Sequence, residues 1–205
     1  MILSFYSKIC NRILWYVRDF TINRKNKSKL KNKFFSLISG DCLGGIVLHD
    51  LHLQFNSPTV NCWMYPKDFI KFVNNLKYYV NKQLIFIYEE GINYPIGCLD
   101  DIKVYFTHYK SEAHALEKWN KRIKRLNYNN IFVIMTDANN FDASDFIEFN
   151  KIKYPHIIFT HKKCNEDNSF YCNHDKNGFF HAWIDKYNPH RYYDSFDFVK
   201  WFNSK

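Results

Sequence analysis

Three segments of this sequence end in the same way: VYFTH at 104 to 108, VIMTD at 133 to 137 and IIFTH at 157 to 161. Each is an apolar run of strand character closed by a threonine and then an ionisable residue. If the three strands run parallel, His108, Asp137 and His161 leave one edge of a sheet, where open α/β folds bind their ligands. An imidazole oriented by a carboxylate is a general base for a hydroxyl acceptor. A fourth group follows the first strand, in the turn Gly40-Asp41-Cys42. There a cysteine is either a nucleophile, its thiolate held by a helix N-terminus or by His108 or His161, or a small buried hydrophobe. The backbone amides of such a turn can also receive an oxyanion.

Those residues need elements to hold them. Phe34 to Ile38, Leu84 to Tyr88, Ile102 to Thr107, Ile131 to Thr136 and His156 to Thr160 read as strands, with a further one over Phe179 to Ile184. Pro66 opens a helix with Phe69, Ile70, Val73, Leu76 and Val80 on one face. Ser111 caps a helix bearing Leu116, Trp119, Ile123 and Leu126, and Asp142 or Ser144 caps another bearing Phe146, Ile147 and Phe149. Phe196 to Phe202 closes as a helix, and Tyr94 to Gly97 reads as a turn. Strands alternating with helices predict a three-layer α/β fold, a mainly parallel sheet with helices on both faces. At 205 residues, 46% of them hydrophobic, the chain suits one such domain over 34 to 205 behind an N-terminal segment, 1 to 33.

That segment has its own pattern. Ile2, Phe5, Tyr6, Ile9, Ile13, Tyr16, Val17 and Phe20 fall on one stripe of an amphipathic helix, and Arg24, Lys25, Lys27, Lys29, Lys31 and Lys33 follow. The stripe suits either the surface of an anionic membrane or packing on the domain's own core; it is too short and too charged to span a bilayer. The net charge of +9 is concentrated here, which argues against nucleic acid as the partner.

The six cysteines form no C-x-x-C pair, and no signal-like apolar run is present, so the expected compartment is cytoplasmic, with peripheral attachment to the membrane's inner face. Cys164, Cys172, His174 and His181 supply the ligand types of a zinc site at a spacing that matches no finger, and no metal is assigned. On the helix around Trp119, Lys118, Arg122 and Arg125 share a face suited to donor phosphates as well as to solvent. There is no Walker A loop and no G-x-G-x-x-G, which leaves an ATPase or dinucleotide enzyme without support.

The ordered segments SGDCLGGIVLHDL, FNSPTVNCWMYPKDFIKFVNNLKYY, YPIGCLDDIKVYFTHYKSEAHALEKWNKRIKRL, NIFVIMTD and IIFTHK resemble the bacterial domain-of-unknown-function family 1919, met among capsule and exopolysaccharide biosynthesis proteins. The resemblance implies a transferase for surface polysaccharide. Its motif positions include Cys42, Asn56, Tyr109, Trp119, Arg122, Asp137 and His161. Gly-Asp-Cys is also similar to the Gly-Asp-Ser block of SGNH-type esterases and acyltransferases, without their later D-x-x-H block. The expectation is an acyl transfer from a coenzyme A thioester to a sugar hydroxyl, with Cys42, His108, Asp137 and His161 catalytic and Asn56, Tyr109, Trp119, Arg122 and Arg125 holding substrate. The alternatives are a glycosyl- or phospho-sugar transferase, and a non-catalytic partner docking polysaccharide enzymes to the membrane.

Overall fold

The computed structural model describes residue 10, residues 12 to 172 and residues 189 to 205. Ile2, Phe5, Tyr6 and Ile9 of the helical stripe, the expected strand over 179 to 184, and His174 and His181 lie outside them. Four strands, β1 (Ser36–Ser39), β5 (Ile131–Thr136), β6 (His156–Thr160) and β7 (Ser169–Tyr171), form a parallel sheet in the order β1-β5-β6-β7. Alternation builds two cores from this one sheet. Ile131, Val133 and Met135 of β5 enter one apolar cluster with Ile38, while Phe132 and Ile134 enter the other with Leu37. Both faces are therefore covered, which is why β5 is buried at every position.

Helix α2 (Leu43–Asp50) and helix α7 (Phe198–Phe202) cover one face through Val47, Leu48, Phe198 and Phe202. Helices α3 (Pro66–Asn74), α5 (Glu112–Ile123) and α6 (Ala143–Phe149) cover the other through Phe69, Phe72, Trp119 and Phe149. The three-layer α/β expectation is met. Helix capping follows the expected chemistry: Ser111 accepts from His114 N, and Asp142 forms a reciprocal capping box with Asp145. The helix expected from Pro66 to Val80 is instead two, because Asn75 leaves helical geometry and α4 (Leu76–Val80) starts afresh.

The larger departure lies between β1 and β5. Strands β2 (Ile85–Ile87), β3 (Ile96–Leu99) and β4 (Ile102–Tyr105) form a separate antiparallel sheet. Only Asp100 and Asp101 separate β3 from β4, with Leu99 paired to Ile102, and so short a loop permits antiparallel pairing alone. Tyr94 to Gly97, expected as a turn, contributes Ile96 and Gly97 to β3. The VYFTH strand therefore does not belong to the parallel sheet.

The N-terminal segment is helical over residues 12 to 18, passes through a π-helical turn (Asp19–Asn23) and ends in α1 (Arg24–Lys29). It is fastened to the domain by an ion network. Arg18, 2% exposed, donates to Asp50 Oδ2 from Nε at 3.0 Å and Nη2 at 2.9 Å, and to both oxygens of Asp194 at 2.6 and 2.7 Å. Arg191 and the Tyr193 hydroxyl donate to Asp50 as well.

Candidate active site

In an open α/β sheet a crevice forms where neighbouring strands send their following helices to opposite faces. β1 leads into α2 on one face, and β5 leads into α6 on the other. The rule places a ligand crevice at the C-terminal ends of β1 and β5. Two contacts close its floor: Gly40 N donates to Ile134 O at 3.2 Å, and the Thr136 hydroxyl donates to Asp41 Oδ2 at 2.7 Å. Gly44 permits α2 to start this close to β1, since a Cβ there would stand 2.5 Å from Ser39 Cβ.

One strand further along, β5 and β6 bring Asp137 and His161 together. Asp137 Oδ2 accepts from His161 Nδ1 at 2.7 Å and from the His161 backbone N–H at 3.1 Å. Asp137 Oδ1 is buried and has no hydrogen-bond partner among the described residues. Burial drives the Asp137 carboxyl above its ordinary range, against the lowering effect of His161. The His161 side chain remains 28% exposed. With Nδ1–H committed to the carboxylate, Nε2 carries the free lone pair and can accept a proton from a substrate.

Cys42 sits at the N-cap of α2, beside Asp41 and in contact with the Thr107 hydroxyl. Burial, with the Asp41 charge adding to it, pushes its thiol up to about 12. The thiol is therefore protonated at neutral pH, the reverse of an activated nucleophile. The amides expected to receive an oxyanion are engaged: Leu43 N donates to Asp41 Oδ1 at 2.8 Å and Gly44 N to Ser39 Oγ at 3.1 Å. Asp41 organises the turn by these bonds, and burial raises its carboxyl too.

His108 is exposed, follows the antiparallel strand β4, and forms no hydrogen bond among the described residues. It does not join the Asp137–His161 pair. The VYFTH segment still reaches the crevice through its threonine, because Thr107 meets Cys42 from the second sheet. Nothing in the one-dimensional pattern favoured that hydroxyl over the histidine beside it. Thr136, Cys172 and Tyr192 were likewise missed. The charge of Asp137 acts on the buried Cys172 thiol, and that of Asp41 acts on the buried Tyr192 phenol.

The five residues expected to hold substrate lie in packing. Arg122, 8% exposed, donates to Val60 O at 2.9 Å and to the Tyr109 hydroxyl, and the Tyr109 hydroxyl donates to Val60 O at 2.7 Å. Trp119 is buried against Phe72 and Phe106. Asn56 donates to Phe35 O at 3.2 Å and Arg125 to Phe55 O at 3.3 Å. Asn56, Tyr109, Arg122 and Arg125 thereby hold the 55 to 60 loop. Among the described residues no group of three or more His, Cys, Asp or Glu side chains could hold a metal ion. Cys172, one of the zinc-type ligands, is buried with its thiol pushed up to about 12.

A three-layer α/β domain with an Asp–His pair beside its strand-end crevice is the class these coordinates define. Within that class the chain belongs to the family described as a domain of unknown function (DUF1919), whose profile matches residues 14 to 203. It is 39% identical over 196 residues to an uncharacterised protein of Haemophilus influenzae strain Rd, covering 90% of this chain and 91% of that one.

Proposed function

We propose that this chain is a transferase of surface-polysaccharide biosynthesis in which His161 is the general base and Asp137 its orienting partner. The observation that carries the reading is the 2.7 Å bond from His161 Nδ1 to Asp137 Oδ2, which leaves Nε2 free on a partly exposed ring at the strand edge. A sugar hydroxyl gives its proton to Nε2 as its oxygen attacks the carbonyl carbon of a coenzyme A thioester. The carbon–sulfur bond breaks, and the same proton passes to the departing sulfur. The protonated Cys42 thiol favours this single displacement over an acyl-cysteine intermediate. The test is thiol release from acyl-coenzyme A in the presence of saccharide acceptors. Release that needs both the acceptor and His161 supports the reading; release unchanged in His161→Gln would sink it.

The same reading includes attachment to an anionic membrane surface. Ile13, Tyr16, Val17 and Phe20 are 43 to 73% exposed on one side of the N-terminal helix. Asp19, the acid within it, is buried and paired with Arg24 and His52. An exposed apolar stripe beside unopposed cations suits the headgroup region of a bilayer. No helix of the described residues is long and apolar enough to cross a membrane. Flotation with phosphatidylglycerol vesicles should be lost in a Val17→Asp, Phe20→Asp variant, and equal flotation of both proteins would remove this part.

A further inference from the structure

The segment after Cys62 joins the two sheets. Trp63 exchanges both backbone bonds with Tyr105 of β4, at 3.0 and 2.9 Å, and Met64 N donates to Gly40 O at 3.0 Å, just past β1. Ile102, Val104 and Phe106 enter the core cluster of Ile38, so Tyr105 and Thr107 take the opposite face of the chain. Trp63, as the bridge partner of Tyr105, shares that face. Its ring stacks on Tyr105 with centroids 4.1 Å apart and planes 12° from parallel, and Tyr65 stands edge-on to both. The same face leads to the crevice, because Thr107 meets Cys42.

The unmet groups of this aromatic shelf are open to solvent. Tyr105 is buried, whereas Trp63 is part-exposed and Tyr65 is 44% exposed. Neither the Trp63 indole N–H nor the Tyr65 hydroxyl has a hydrogen-bond partner among the described residues, and Trp63 Nε1 keeps contact with solvent, unlike the sealed Trp119 Nε1. The charges beside the shelf are matched. Glu89 accepts from Lys103 Nζ at 2.6 Å, and Asp68 lies within reach of the Lys71 and Lys103 charges. A flat aromatic surface edged by free donors, with no cation left over for an acidic group, suits the C–H face and hydroxyls of a neutral sugar ring. We infer that Trp63 and Tyr65 form an acceptor subsite for a neutral oligosaccharide, one ring lying on Trp63 against Tyr65 and a further residue reaching His161. The inference rests on the transferase reading for its reaction, though not for its binding. Three chain spacings, from the Met64 segment through β1 and β5 to β6, put His161 about 14 Å away, more than a single sugar ring spans.

Ligand-observed NMR on the full chain, without donor, tests the subsite with cellotriose, maltotriose, glucose and trigalacturonate. A neutral trisaccharide should bind at least about tenfold more tightly than glucose, and Trp63→Ala and Tyr65→Ala should each lose about tenfold or more. Tyr65 is exposed, so its variant should keep the melting temperature even where Trp63→Ala does not. In transfer assays Tyr65→Ala should raise the acceptor KM by about tenfold and leave kcat within about twofold. His161→Gln should bind the trisaccharide as the wild type does. No binding of either neutral trisaccharide at about 50 mM, or binding unchanged in Tyr65→Ala, would overturn the subsite. Equal affinity for glucose would overturn the oligosaccharide, and tighter binding of trigalacturonate would overturn the neutral ligand. Vesicle flotation lost in Tyr65→Ala would give the rings to the bilayer instead. Trisaccharide binding with no thiol release would sink the transferase chemistry and leave the subsite standing.

Discussion

Two carboxylates, the buried Asp50 and the largely buried Asp137, stand in polar clusters of opposite design. Asp50 accepts bonds from two side-chain nitrogens each of Arg18 and Arg191 and from the Tyr193 hydroxyl. Among the described residues Asp137 accepts only from His161, at Oδ2, and its buried Oδ1 has nothing to accept from. A fully satisfied cluster fixes geometry; one that keeps an unpaired oxygen and a free imidazole nitrogen retains capacity to act. The first ties the N-terminal helix to the C-terminal segment. The second faces the strand-edge crevice. Burial alone does not distinguish these two clusters, whereas their unmet hydrogen bonds among the described residues do.

The contrast can be broken by substitution. His161→Gln should lower transfer by about 10²- to 10⁴-fold, as loss of a general base does, with the melting temperature nearly unchanged. A large fall in stability instead would put His161 in the same category as Arg18. Arg18→Ala should cost about 1.5 to 3 kcal/mol in urea denaturation, because Asp194 loses its guanidinium partner while Asp50 keeps Arg191 and the Tyr193 hydroxyl. A loss below about 1 kcal/mol, the worth of an exposed pair, would mean that the network contributes little to stability.

Asp137→Asn sharpens the comparison through pH. In the proposed mechanism Asp137 acts as the carboxylate, so its ionisation contributes to the rise of rate with pH. Burial raises that carboxyl, so its ionisation should enter the acid limb above the ordinary carboxylate range, and that component should be absent from the Asn variant. The linkage has the opposite direction. The folded state holds this proton more tightly than the unfolded chain, so stability from it is present at low pH and is lost as pH rises through the folded value. Asp137→Asn should therefore lower activity while retaining or gaining stability near neutrality, measured by thermal melts across pH. Cys42→Ala is the mildest change, expected to alter transfer by no more than about threefold, since its thiol is held protonated by partial burial and the Asp41 charge. Complete loss in that variant would restore the covalent route.

Much of the parallel sheet was legible because apolar runs and caps are local signals. IFVIMT at 131 to 136 and HIIFT at 156 to 160 are strands as expected, and Ser111 and Asp142 cap the helices they precede. The hairpin Leu99-Asp-Asp-Ile102 was not legible. Its turn lacks the Asn-Gly or Asp-Gly signature, so the β4 run read as one more parallel strand and carried His108 with it. The basic face of α5 misled for another reason: Arg122 points inward, and sequence does not distinguish an arginine paired with backbone oxygens from one facing solvent. The N-terminal stripe was read correctly as amphipathic, yet at Ile13, Tyr16, Val17 and Phe20 it is the apolar side that faces out, while Arg18 is buried.

Residue order thus determined most of the strands and helices, and that Asp137 and His161 each stand one residue past a strand, since both depend on neighbours within a few positions. Only the tertiary structure decided that β5 and β6 are adjacent and in parallel register, which sets the imidazole against the carboxylate, while a two-residue turn sends His108 to another sheet. Pairing of distant strands follows from burying both faces of a common sheet, a condition that no local stretch of chain contains.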